Sequence, residues 1–181
     1  SILSRMGELK SLSQDVLKNS SDIANYNAEF QNLQVQLYQM ANENFNGVSL
    51  FATTTTSTGS TNAVFGGTQD NTVSVFTTDR GAAGSVVSIN KSSMLSAVTF
   101  TSTTSTTAVA FADNSGATTK SLAAKNSSNA LSLGQLGVSF FTAALENLAT
   151  LRAENGGSTS RLQFSLEHIS RSQTNLEAAN G

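Results

Sequence analysis

Hydrophobic positions recur in alternating steps of three and four over two stretches at opposite ends of the chain. In the first, Ile23, Tyr26, Phe30, Leu33, Leu37 and Met40 form one row. In the second, Leu145 and Leu148 lead to Leu162, Leu166, Ile169 and Leu176, with Gln173 as the polar member. Steps of this kind place one stripe along one side of a helix, the pattern of helices that pack lengthwise against each other. Two distant segments that each need a long apolar partner satisfy one another most simply. The pattern therefore predicts a mainly α rod with a β insert: long antiparallel, coiled-coil-like helices from both ends of the chain, plus a β-hairpin or small β variable region. The boundaries follow as 1–51 for the N-terminal part of the rod, 52–130 for the Ser/Thr-rich β region and 131–181 for the C-terminal long helix.

Within the first part, a helix is predicted from Ile2 to Leu17, with Ile2, Met6, Leu9, Leu12/Ser13 and Val16 on one face. Asn19-Ser20-Ser21-Asp22 breaks it and supplies short polar side chains that can accept from the open N–H groups of a second helix, from Asp22 to Ala41 or Asn42. Asn44-Phe45-Asn46-Gly47 stops that helix, and the Asn-Gly pair predicts a tight turn before a strand at Val48–Phe51. Residues 52–62 are nearly all Ser, Thr and Gly and read as a loop tip or a polar edge strand. Strands are then expected at Ala63–Phe65, Thr72–Thr77 and Val86–Ile89, with Val73 and Val75 alternating against Ser74 and Phe76. Ala97–Ala112 leans to β, Asp113-Asn114-Ser115-Gly116 marks a break, and the helical pattern resumes from Ser132. Gly156-Gly157 weakens the last helix by roughly 1 kcal/mol per glycine relative to alanine. Leu148 and Leu162 nevertheless stand two heptads apart, so the stripe keeps its phase across the glycines, which favours one continuous helix.

Composition narrows the function classes. Of 181 residues none is Pro, Cys or Trp, and 10 are Phe. The missing proline suits long helices; the missing cysteine excludes disulfides and thiolate metal sites. A net charge of −2 without any Lys/Arg cluster offers nothing to nucleic acid. No apolar run approaches the roughly 20 residues of a membrane span. The single histidine, His168, lies between two stripe positions without a second His at zinc-helix spacing, and reads as a solvated surface residue. Ser88-Ile89-Asn90-Lys91 matches the Ser-x-x-Lys pattern of serine acyl enzymes but lacks its companion motifs. Gly66-Gly67 and Gly81–Gly84 lack the context of phosphate loops and read as turns. No catalytic residue, cofactor site or metal site is assigned, and the chain reads as a structural protein rather than an enzyme. The tracts Thr53–Thr58 and Thr99–Thr107 read either as solvated loops or as surfaces carrying O-linked glycans. The chain starts on Ser1 and runs at once into a helical pattern at Ile2, Leu3, Met6 and Leu9, so it reads as an internal piece of a longer protein.

Several stretches also carry a resemblance. Leu3-Ser4-Arg5-Met6-Gly7-Glu8-Leu9, Asn27-Ala28-Glu29-Phe30 and Asn44-Phe45-Asn46-Gly47-Val48-Ser49-Leu50 resemble the N-terminal conserved region of bacterial flagellin. Ala143–Leu148, Thr150-Leu151-Arg152-Ala153, Gly156, Arg161-Leu162 and Asn175–Asn180 resemble its C-terminal region, in the right order. The matches cover roughly the first 50 and last 45 residues. Gly7 departs from the family's usual Arg, and Asn155–Thr159 departs from a stretch that is less glycine-rich in the family. The resemblance implies a subunit of the bacterial flagellar filament, secreted to the extracellular flagellum and serving motility by self-assembly, in a piece lacking the terminal polymerisation helices and monomeric on its own. The alternatives are a hook–filament junction protein and an adhesin acting through the β insert; a protease embedded in the variable region would need a metal-binding His pair that the chain does not have. Implied partners are other flagellin subunits, the flagellar export chaperone and the filament cap. Toll-like receptor 5, the vertebrate innate receptor for flagellin, is a further one, with a contact patch at Arg5, Leu9 and Glu29.

Overall fold

The computed structural model describes residues 1–15, 17–45, 48–49, 51–52, 63–66, 72–78, 80–101, 105–115 and 118–180. Four α-helices and three two-stranded antiparallel sheets make up this part of the protein. Helix α1 spans Ile2–Ser13 and α2 spans Ser20–Ala41. The first helix is thus four residues shorter than the expected Leu17 end, and Leu17 is exposed. The polar run from Gln14 ends it, and the Asp15 carboxylate accepts from the Leu17 N–H at 3.0 Å in a local turn that competes with helix. Val16 lies outside the described residues. The cap of α2 comes from the expected polar run, but the helix starts at Ser20, two residues before the expected Asp22, with Asn19 as its cap. The Asn19 Oδ1 accepts from the Asp22 N–H at 2.9 Å, and the Asp22 side chain accepts from the Asn19 N–H in return.

Strands β1 (Asn44–Phe45) and β2 (Val48–Ser49) pair around residues 46 and 47, which with Leu50 lie outside the described residues. So do the Thr53–Thr58 tract, residues 67–71, and residues 102–104 of the second Thr tract. Strands β3 (Thr72–Phe76) and β4 (Val86–Asn90) form the clearest hairpin, with Val75 opposite Val87 and Val73 opposite Ile89. Those four share its half-buried face while Ser74, Phe76, Val86 and Ser88 are exposed, as the period-two alternation requires. Ala63–Phe65 is not a strand but leads into a turn; Phe65 donates its N–H to the Ser96 hydroxyl at 2.8 Å instead of to a neighbouring strand. A short helix α3 (Met94–Ala97) precedes β5 (Thr99–Thr101), which pairs with β6 (Thr119–Ser121).

Helix α4 runs without a break from Val138 to Asn180, 43 residues, or about 64 Å at 1.5 Å per residue. It starts six residues after the expected Ser132, because Leu133–Gln135 first form a 3-10 turn closed by reciprocal bonds between Ser132 and Gln135. Gly156 and Gly157 do not interrupt it. Lys10 reaches Leu133 just ahead of α4 while Gly7 sits against Phe141 within it, so α1 and α4 run in opposed directions.

One core holds the helices together. Leu3, Met6 and Leu9 from α1, Phe30, Leu37 and Ala41 from α2, and Phe140, Phe141 and Ala144 from α4 are buried in a single cluster. Phe30 and Phe141 meet with ring centroids 6.0 Å apart. The middle of the chain enters the same cluster through Met94, Leu95, Val98, Phe100, Leu122, Leu131, Leu133 and Leu136, so these residues are part of the helical body, while the β3–β4 hairpin contributes none of the buried cluster. Phe100 meets Phe140 edge-on at 5.6 Å, and the Asn147 side chain donates to the Ala97 carbonyl at 2.9 Å.

Two corrections to the predicted stripe follow. On α2 the buried row is Phe30, Gln34, Leu37 and Ala41, rotated by part of a turn from Phe30–Leu33–Leu37–Met40. Leu33 with Tyr26 is only partly buried, and Met40 is 46% exposed, because a buried glutamine and a small alanine take the positions facing the core. On α4 burial ends at Leu151. Leu148 is partly buried, but Leu145 is 40%, Leu166 65% and Leu176 70% exposed. Helix α4 simply outruns α1 and α2; beyond Leu151 the β3–β4 hairpin is what lies against it, and Leu162 and Ile169 are half-covered.

Candidate functional site

Two regions of this fold carry chemistry or exposed surface beyond the core: an ion cluster between α1 and α2, and the outer part of α4. The cluster follows from helix geometry. Arg5 and Glu8 are three residues apart on α1 and therefore share a face, and the short link to α2 brings Glu29 opposite them. The Arg5 guanidinium grips Glu29 with two parallel bonds, Nε to Oε1 at 2.6 Å and Nη2 to Oε2 at 3.0 Å. Its third nitrogen, Nη1, lies 3.0 Å from Glu8 Oε2. This is the forked geometry for which Arg is suited and Lys is not. Glu8, to which the sequence alone assigns no role, completes the cluster; its three-residue spacing from Arg5 was the available signal.

Of the three residues assigned to a contact patch, the fold thus joins Arg5 and Glu29 and separates Leu9. Leu9 is fully buried in the core, since Leu3, Met6 and Leu9 repeat every three residues along the inward side of α1. An apolar contact from Leu9 to another protein is excluded in this fold. What remains accessible is a charged patch.

The bonds from Arg5 hold the Glu29 carboxyl below the usual carboxylate range, against the opposing effect of partial burial. Its partner is pushed up: bonds to Glu29 and then to Glu8 keep Arg5 charged throughout. Because folding lowers the proton affinity of Glu29, the folded state binds fewer protons than the unfolded one. The pair's contribution is therefore present above the ordinary Glu range, about pH 4.3, and is lost as pH falls through the lowered folded value. The cluster is well exposed, so its contribution is small. Melting temperature measured against pH should fall less steeply on acidification for Arg5→Ala than for the parent. Parallel profiles for the two proteins would show that the pair does not couple to folding.

The outer part of α4 presents Leu166, Leu176 and Phe164, the last at 71% exposure. An open groove of about 1360 Å³ lies between this segment and the β3–β4 hairpin, with Val86, Val87, Ile169 and Leu176 on its apolar walls and Thr78, Ser85 and His168 among its polar ones. His168 is exposed, as its position between stripe residues predicts. Ser88 is exposed on β4, and Lys91 follows just past the end of that strand. Among the described residues no group of three or more His, Asp or Glu could hold a metal ion, and no helix is long and apolar enough to cross a membrane.

Sequence reasoning missed a third constellation, in which polar side chains act on backbone. Buried Gln34 donates Nε2–H to the Leu131 carbonyl at 2.8 Å and accepts the Leu131 N–H at 2.9 Å, as a strand would. Asn27 accepts the Leu133 N–H at 2.8 Å and Lys10 donates to the Leu133 carbonyl at 2.8 Å. These bonds strap residues 131–133 across α1 and α2. In comparisons with known proteins, no family model and no curated protein matches this chain.

Proposed function

We propose that this chain is the helical rod and outer region of a flagellin, a structural subunit of the bacterial flagellar filament. The observation that carries the reading is where the two resembling stretches end up. Residues from the two ends of the chain, more than 110 positions apart, are drawn into one helical body through Leu3, Met6, Phe30 and Phe141. Helix α4 then extends well past that body with part of its apolar stripe uncovered. A long rod with uncovered apolar positions on its side suits lateral packing against neighbours in a tube, the role of a subunit whose partners are copies of itself. Export, chaperone binding and capping follow from the same reading.

An antibody raised against this chain, applied to the bacterium that makes it, should label flagellar filaments along their length by immunogold electron microscopy. A single labelled band at the filament base would instead assign the chain to the hook–filament junction. Unlabelled flagella would overturn the proposal altogether.

The same reading assigns Toll-like receptor 5 as a partner outside the filament, through the charged patch of Arg5, Glu8 and Glu29 rather than through Leu9. The protein should bind the receptor ectodomain in solution, and an Arg5→Ala, Glu29→Ala double variant should bind at least about tenfold more weakly, as for an Arg-centred contact. Because the cluster is exposed, the variant should keep its fold, which circular dichroism would verify. Equal binding by the two proteins would remove the patch from the proposal.

A further inference from the structure

We propose that residues 155–160 of α4 form a joint, a built-in place where the helix opens locally while its two flanks stay helical. The stretch reads Asn-Gly-Gly-Ser-Thr-Ser, six consecutive residues that are poor helix formers because of backbone freedom or side chains that compete for backbone hydrogen bonds. Thr159 turns its hydroxyl onto the Asn155 carbonyl at 3.0 Å, as Thr142, Thr150 and Thr174 do on their own preceding turns, so the glycines are what set this stretch apart. The glycines are not required by space: a Cβ built on Gly156 or Gly157 would meet nothing within 4 Å. Nor are they required by backbone conformation, since Gly66 and Gly81 are the glycines with positive φ among the described residues. What two glycines do at this place is weaken the helix, by roughly fivefold each relative to alanine.

Their position gives that weakness a use. Residues 152–157 are all exposed, between an inner segment anchored in the core as far as Leu151 and an outer segment that rests on the β3–β4 hairpin from Phe164 onward. The weakest helical sequence thus overlaps the exposed stretch at 155–157, where little packing supports the helix, so local opening is cheapest there. Opening would let the outer segment tilt against the anchored body without disturbing the core.

Amide hydrogen exchange of the whole chain, followed residue by residue by NMR, tests this. The amides of 155–160 should exchange at least about tenfold faster than those of 144–151 and of 164–172 on either side. In a Gly156→Ala, Gly157→Ala variant, exchange at 155–160 should slow by about 25-fold, with 144–151 unchanged. Protection that declines steadily from Leu151 to the end of α4 would mark ordinary fraying rather than a joint, and exchange unaltered by the two alanines would remove the glycines as its cause. Either result overturns the proposal.

Discussion

Phe30→Ala is expected to cost about 3–5 kcal/mol of stability, the loss typical of removing a large aromatic side chain from a tight core. Phe30 is fully buried, and its ring meets Phe141, so the truncation opens a cavity where α2 and α4 join. Helices α1, α2 and α4 share one cluster with Met94, Phe100, Leu122 and Leu133, so the loss should appear as a lower midpoint of one cooperative urea transition. The stripe supplies the contrast. Leu37→Ala, at 3% exposure, should cost about 2–5 kcal/mol. Leu166→Ala, at 65% exposure, should cost less than about 0.5 kcal/mol. From the heptad pattern alone the two leucines are equivalent. Equal losses measured for both would mean that Leu166 is covered in solution, and would contradict its exposure in this fold.

The second large effect belongs to a polar side chain. Gln34→Leu keeps nearly the same volume and adds apolar surface, yet it should destabilise by about 2–5 kcal/mol. It leaves the Leu131 N–H and carbonyl without their partners in a buried place, and each orphaned group costs about 1–3 kcal/mol. Equilibrium denaturation measures the loss, and the exchange rate of the Leu131 amide locates it: that amide should lose protection before the α2 core does. A variant as stable as the parent would show that the strap over α2 contributes nothing to the fold.

What could be read from the sequence is what local rules determine. The polar run that caps α2 and the alternation of β3 are local, so both were legible, whereas the pairing of β3 with β4, whose Val86-Val87-Ser88-Ile89 does not alternate strictly, was not. Other features depend on partners that hydrophobicity does not mark. The core side of α2 was misplaced by part of a turn because Gln34 is polar and Ala41 small, and a pattern of large apolar residues passes over both. Strand β6, Thr119-Lys120-Ser121, has no apolar alternation at all; it is fixed in part by buried Thr99 and Ser121, whose hydroxyls meet at 2.9 Å. The stripe of α4 was legible through Leu176, but where cover stops depends on the lengths of α1 and α2, not on α4. At the ion cluster, Arg5 and Glu29 came from the flagellin resemblance, Glu8 was legible from spacing, and the burial of Leu9 needed the fold.

The closure of this core between the two ends of the chain also sets when the protein can fold. Leu3, Met6, Leu9 and Phe30 have no finished core until Phe140, Phe141 and Ala144 exist, and the strap that Gln34 holds is 97 residues away. At 5–20 residues per second of synthesis, α1 and α2 wait roughly 6–25 seconds for their partners, with their apolar faces uncovered. A chain built this way emerges as a nascent, binding-competent polymer and becomes a rod late and all at once. Its early helices are therefore the segment most in need of protection before the last third is made.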